Sequence, residues 1–338
     1  MTFSPSVARW ASRLLQTLPV VFFAVVVLVF GGLPDRFISV ANFTNILLQS
    51  AHLAVLAIGM SFVLLVAGVD LSVGAVMYVV SVLLSLYLTV LPPWLCLPAV
   101  LAVGASFGAV NGFLIVVLRM APFIATLATL FVGRGVGLFL SDTKTVLAGP
   151  SVMAFARKPV LGVPMPILLA FGVMALAFFL LRLAPFGRYV FAIGADREGA
   201  RRAGIKVERK VFVLYCLSGA LAALGGFISL SQIAAASSTF GERKEFQAIA
   251  AAVLGGTSLF GGRGGVFGPV LGAVLIQTVE SGLVMTDTDP YVYPLITTAI
   301  IFLAVLLDSL RTRATAQLER RRIRVEEMPD PVRAAAAG

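Results

Sequence analysis

Long uncharged apolar runs separated by short charged stretches set the pattern of this chain. The longest are Leu14–Pro34, Phe37–Val69, Leu71–Leu118, Pro159–Leu181 and Val211–Gly241. Shorter ones cover Met120–Gly133, Phe246–Gly262, Gly264–Val279 and Pro290–Leu307. A membrane-spanning helix needs about 20 mainly apolar residues. The run Leu71–Leu118 is too long for one span, and Pro92, Pro93 and Trp94 divide it, as proline and an interfacial aromatic do at a turn. The pattern predicts ten helical spans, at 15–34, 46–67, 73–91, 95–117, 122–140, 164–182, 211–230, 246–261, 266–285 and 293–309. The spans beside Asp70 and the one ending near Phe260 are candidates for re-entrant segments. The expected fold class is an all-α polytopic membrane protein.

Composition strengthens that reading. Hydrophobic residues make up 59% of the chain and charged residues 12%, against roughly 45–50% and 25% in soluble proteins. A soluble protein this apolar would expose large sticky patches. With the N-terminus in the cytoplasm and ten alternating spans, nineteen of the 26 Lys and Arg residues fall on the cytoplasmic side. That is the direction the positive-inside rule demands. The net charge of +10 is therefore mostly an orientation signal and not a nucleic-acid-binding one. The expected organisation is a cytoplasmic N-terminal segment (1–13), a transmembrane region (14–310) with a cytoplasmic loop at 183–210, and a basic cytoplasmic tail (311–338). Arg9 and Arg13 precede an apolar run, as in a signal peptide, but the run is longer than a typical h-region and lacks an A-x-A cleavage site. It reads as the first span. Cys96 and Cys216 both lie in apolar runs, so no disulfide framework is implied.

Enzyme chemistry has little to stand on. There is no P-loop, no nucleophile elbow and no Cys/His cluster at metal-ligand spacing. No cofactor is expected. The one histidine, His52, lies inside an apolar span, where a packed or pore-facing role outweighs a ligand role. What remains is glycine at helical spacing. Gly104, Gly108 and Gly112 recur every four residues in the fourth expected span, and Gly264, Gly268 and Gly272 do so at the start of the ninth. Residues four apart share a helix face, and small residues let membrane helices approach closely. One stripe lies in the fourth span of the first five and the other in the fourth of the last five, an arrangement expected of an inverted 5+5 repeat.

Polar groups inside membrane spans mark function by default. Asp70 and Ser72 sit in G-V-D-L-S-V-G, a sequence that suggests a broken or turning backbone with Asp70 and Ser72 capping the helix that follows. A substrate contact is the competing role for Asp70. Asn111, Thr126, Thr129, Gln247 and Gln277 are further candidates for a polar pathway. Arg134 and Glu280, both near the outer side, are a candidate pair. Gly187–Ile205 is a charged, glycine-punctuated loop between apolar runs. Gly194 is expected to break the preceding segment, Asp196 to cap a short helix, and Gly204 to end it. Ala200 and Ala203 give that helix a small face beside Arg197, Arg201 and Arg202. Such a helix suits a groove on a soluble partner, or a surface of anionic lipid.

Four segments carry a family resemblance: G-V-D-L-S-V-G at 68–74; P-F-I-A-T-L-A-T-L at 122–130, followed by Arg134 and Gly135; the stretch from Glu245 through A-A-V-L-G-G-T-S-L-F-G-G-R-G to Gly265; and Gly187–Ile205. Together they resemble the permease subunits of ribose-type ABC importers of monosaccharides. The resemblance implies a bacterial inner-membrane importer, with a second permease subunit, a periplasmic sugar-binding protein and a separate ABC ATPase as partners. It further implies that Gly187, Arg188, Gly194, Asp196, Gly199, Ala200, Ala203 and Gly204 form the segment against which the ATPase seats. Asp196 and Gly199 stand where that family usually has asparagine and alanine. Thr286–Tyr293 departs more widely, which leaves the cargo open. A permease for nucleosides or branched-chain amino acids is a close alternative. A proton- or sodium-driven transporter is a more distant one, with Asp70 and Glu280 its candidate relay.

Overall fold

The computed structural model describes residues 24–306 apart from 25, 33–36, 90–91, 158, 297, 300–301 and 304–305. The 1–13 segment, the first part of the expected first span, much of the expected tenth span and the 311–338 tail lie outside the described residues. The chain runs through α1 (Val40–Leu64), α2 (Val73–Leu86), α3 (Pro93–Val116), α4 (Pro122–Ser141), α5 (Pro150–Arg157) and α6 (Met165–Phe178). A π-helical turn, Phe179–Leu183, extends α6. Then come α7 (Pro185–Ala195), α8 (Arg197–Arg202), α9 (Val207–Ile233), α10 (Lys244–Leu254) and α11 (Phe267–Met285). Two tiny antiparallel ladders close loops: β1 (Val146–Leu147) pairs with β4 (Ala235–Ala236), and β2 (Pro159–Val160) with β3 (Val163–Pro164).

Proline opens α3, α4, α6 and α7, where its missing N–H costs nothing and its fixed φ suits a first turn. Ser39 caps α1 by accepting from the Asn42 amide at 3.2 Å. Six described helices are long and apolar enough to cross a membrane: α1, α3, α4, α6 with its π turn, α9 and α11. The molecule is an all-α polytopic membrane protein. Helices α1, α2 and α9 form the buried centre, with Tyr78, Tyr215, Phe62 and Phe227 fully enclosed. Helices α3, α4 and α6 lie at the rim and expose Phe131, Phe139, Phe171 and Leu176, a surface that lipid covers at no cost.

Two elements are shorter than the apolar runs that contain them. Helix α2 has 14 residues and α10 has 11. At 1.5 Å per residue these reach about 21 and 16 Å, against a hydrocarbon core of about 30 Å. The expected span 246–261 is thus not one continuous helix. It stops at Leu254, and the chain turns through Gly256, Gly261 and Gly262 at φ of +85°, +85° and +71°, a region that L side chains rarely enter.

Glycines on α3 form a seam with α9. Side chains at Gly104 and Gly108 would run into the Gly219 and Tyr215 carbonyls, and one at Gly112 would lie 2.8 Å from the Phe212 ring. Gly219 reciprocates, since its own side chain would strike the Gly104 carbonyl. Gly108→Ala is expected to destabilise the bundle by about 1–3 kcal/mol, read as a lowered unfolding temperature. Gly172→Ala, which meets nothing within 4 Å, should leave that temperature unchanged or raise it. The second stripe is different. Gly268 and Gly272 face Gly255 and Ala251, at the end of α10, while Gly264 lies in the loop ahead of α11 at φ +156°. The two stripes therefore do not meet equivalent partners.

Candidate transport and coupling site

Helix α1 ends because Ala67 turns left-handed at φ 56°. The break that follows carries Asp70, whose carboxylate is fully buried. Its Oδ1 accepts from the Ser72 amide at 3.0 Å and the Ser72 hydroxyl at 2.6 Å. Its Oδ2 accepts from Ser218 Oγ on α9 at 2.7 Å. Asn111 Nδ2 on α3 donates to Ser72 Oγ at 2.8 Å, and Thr129 Oγ1 on α4 donates to Asn111 Oδ1 at 2.6 Å. The Val69 carbonyl accepts from the Tyr215 hydroxyl at 3.3 Å. Thr126 Oγ1 donates to Pro122 O at 2.9 Å and reaches Val69 O at 3.5 Å.

One carboxylate thus ties the break to three helices through neutral dipoles. In a low-dielectric interior such bonds are strong and an unmade one is costly. Asp70 holds the amide that opens α2, whereas the Ser72 side chain makes no cap bond. Asp70, Ser72, Asn111 and Thr126 come together, shut away from solvent in this conformation. Tyr215 and Ser218 belong with them and were not singled out from sequence. Their spacing of three on one helix was the available signal.

Gln247 does not join this group. It accepts from Lys244 Nζ at 2.8 Å and donates to Glu280 Oε1 at 3.2 Å. The expected pairing of Arg134 with Glu280 is therefore replaced by another. Arg134 donates to the Phe240 carbonyl at 2.6 Å, stands 5.6 Å over the Tyr78 ring, and lies within electrostatic reach of Glu245. Glu245 lies at the start of α10 with its carboxylate buried beside the first turn of α2 at Gly74, and its Oε2 has no hydrogen-bond partner among the described residues. The sequence signal for it was a lone carboxylate opening an apolar run. His52 is buried within α1.

The segment expected as a loop with one short helix forms two helices. Gly187 and Gly194 both lie inside α7, so Gly194 is not the break expected of it. Each sits where another backbone comes too close for a side chain: the Leu181 carbonyl at Gly187, and the Leu65 carbonyl with the Gly262 amide at Gly194. Arg188 is exposed on α7. Asp196 Oδ1 accepts from the Glu198 and Gly199 amides at 3.0 Å each, which caps α8. A side chain at Gly199 would meet Asp196 Oδ2 at 2.5 Å. At the other end, Gly204 at φ +81° donates to Arg201 O at 3.0 Å, and Ile205 donates to Ala200 O at 3.1 Å. This is a Schellman close, with Ala203 at the C-cap and Ala200 buried. Asp196→Ala should cost α8 about 0.5–2 kcal/mol, read as faster amide exchange at 198–203. Asp196→Asn should leave that exchange near the native rate.

The seat of α7 is the point where both breaks meet. The Gly262 amide donates to the Leu65 carbonyl at 2.9 Å, which links the loop after α10 to the end of α1. Gly194 and Ala195 pack directly onto that link, with Gly261 and Gly262 against them. Thr257 Oγ1 donates to Ser61 Oγ at 3.4 Å nearby. The C-terminal end of α7 is thus in direct backbone contact with both interruptions of the bundle.

A membrane bundle interrupted at two points, with α7 seated on both, is the kind of architecture a transport permease uses. Residues 42–306 match the family described as "Branched-chain amino acid transport system / permease component", and the chain belongs to that family. It is 38% identical over 283 residues to the ribose import permease protein of Haemophilus influenzae, covering 82% of this chain and 87% of the other. It is 34% identical over 291 residues to the D-allose transport system permease protein of Escherichia coli K12 (85% and 89%). It is 33% identical over 306 residues to the fructose import permease protein of Rhizobium meliloti (86% and 84%). No solved structure matches the chain.

Proposed function

We propose that this chain is the transmembrane subunit of an ATP-driven ABC importer that moves a monosaccharide from periplasm to cytoplasm by alternating access. The single observation that carries the mechanism is the seat of Gly194 on the Leu65–Gly262 link. A separate ATPase docks on α8 and biases two conformations through its own nucleotide state. A periplasmic binding protein delivers the sugar to the opposite face, and a second permease subunit, identical or related, completes the path. The protein sits in the inner membrane with both termini cytoplasmic. The names of the ribose, allose and fructose relatives support a sugar cargo.

Ten spans in two inverted halves fit the helix order. Starts at Val40, Val73 and Pro93 are followed by starts at Val207, Lys244 and Phe267, offsets of 167, 171 and 174 residues. Packing fits too. Helix α3 lies along α9 as α11 lies along α1, where Ser281 Oγ donates to Asn42 Oδ1 at 2.9 Å.

The family description raises branched-chain amino acids as cargo. Discontinuous helices in transporters point their N-termini at anionic substrate groups. Here the first turn of α2 is flanked by Asp70 and Glu245, which leaves no inviting place for a carboxylate and favours a neutral polyol. Reconstitution with the partner ATPase and binding protein tests the reading. Uptake of labelled ribose, allose or fructose should require ATP hydrolysis, and leucine should not compete. Leucine uptake, or uptake driven by an ion gradient without ATP, would overturn it.

A further inference from the structure

We propose that a cleft between the end of α6 and the start of α11 binds the phosphate group of an anionic membrane lipid. The inference rests on the orientation proposed above, which puts this end of the bundle at the cytoplasmic headgroup level. The cleft has a volume of about 680 Å³. Arg182, on the π turn after α6, and Arg263, on the loop before α11, line it from two separate elements, and both side chains are exposed. The backbone of Gly264 and Gly265 lines it as well, just ahead of the first turn of the 19-residue α11. Phe178 and Phe267 form an apolar wall, their ring centroids 5.3 Å apart.

Each feature selects for part of a lipid. Guanidinium groups match phosphate oxygens through paired donors, and a helix start adds a favourable dipole. The aromatic wall suits the glycerol and first methylenes of an acyl chain. The cleft borders the flank of α6 with its π turn, the least enclosed of the long described helices, and we take lipid to reach it there. Phe179 and Leu183 are exposed beside Arg182. Basic pockets at the cytoplasmic end of membrane helices recognise anionic headgroups. Gly255 and Gly256 line the same cleft, so a bound phosphate would tie α6 to the loop on which Gly194 rests.

The test measures binding directly, so it stands or falls apart from the import assay. The purified full chain in neutral detergent is titrated with dioleoylphosphatidylglycerol, dioleoylphosphatidylcholine or inorganic phosphate, and retention is followed by native mass spectrometry. Phosphatidylglycerol should be retained saturably and phosphatidylcholine should not. Each arginine near a membrane surface contributes about fivefold, so Arg182→Gln with Arg263→Gln should weaken retention about 25-fold. Arg119→Gln, outside the cleft, should change nothing, and the double Arg→Lys variant should fall between. Equal retention of both lipids, or undiminished retention by the double glutamine variant, overturns the proposal. Displacement by millimolar inorganic phosphate assigns the cleft to the free ion and overturns the lipid reading. Loss of ATPase docking with lipid retention intact marks the cleft as a protein surface, with the same consequence.

Discussion

Gly194→Ala abolishes ATP-driven uptake while the protein still inserts and folds: this is the largest effect the structure leads us to expect. The added methyl would fall on the Leu65 carbonyl and the Gly262 amide, with Gly262 Cα 3.0 Å away. All three neighbours are backbone, so no rotamer change relieves the overlap. The 2.9 Å bond between Leu65 and Gly262 must break or α7 must lift away. A lost hydrogen bond and a forced overlap together cost about 2–4 kcal/mol. Charged against the coupled state, that is roughly a 30- to 1,000-fold loss of transport. Because the clash begins at Cβ, alanine should show most of the effect and valine little more. Uptake in proteoliposomes, set beside Gly172→Ala, reads the result. Uptake by Gly194→Ala within a factor of two of the unmodified protein would remove the proposed coupling route.

Asp70→Ala is expected to lower stability more than any other single polar change. It strips the Ser72 amide, the Ser72 hydroxyl and the Ser218 hydroxyl of a shared acceptor and leaves those donors inside a dry interior. Each orphaned group costs about 1–3 kcal/mol, and relaxation recovers part of it, so about 3–5 kcal/mol is expected. Asp70→Asn keeps the shape and one acceptor oxygen and should cost about 1–2 kcal/mol. Unfolding temperature and the yield of monodisperse protein measure both. If alanine and asparagine behave alike, the bonds to Asp70 do not hold the break together. Ser218→Ala removes a single donor, and its effect should be smaller than either.

Local features were legible in the sequence, and long-range meetings were not. The interruption at Asp70 could be read from glycines at 68 and 74 around a lone carboxylate. The α8 cap and close could be read from Asp196 and Gly204, because each acts within five residues. The local pattern places Tyr215 and Ser218 on one helix face but does not say that Ser218 meets Asp70, 148 residues away. The contact of Gly194 with Leu65 and Gly262 is hidden for a further reason. A glycine needed for close approach looks the same in sequence as a glycine that breaks a helix, which is why the local pattern at Gly194 reads as a break. The span ending near Phe260 reads in sequence either as a full span or as a re-entrant segment, because hydropathy does not register turns: Gly255, Gly256, Gly261 and Gly262 leave an apolar run apolar while ending its helix at Leu254. Arg134 was matched to Glu280 by depth alone. The actual acceptor, the Phe240 carbonyl, is a backbone group that no composition argument can point to.

The seam between α3 and α9 limits how this molecule can change shape. Where Gly104 and Gly219 touch, bare main chain lies on bare main chain, with no side chain between them to swing aside. Sliding one helix along the other would drive carbonyls into each other or open a void too narrow for an acyl chain to fill. The pair behaves as one beam. Any transport cycle that keeps this seam carries α3 and α9 together, and among the described residues the short α10 with the glycine turns after it is bound by no such main-chain contact to α9.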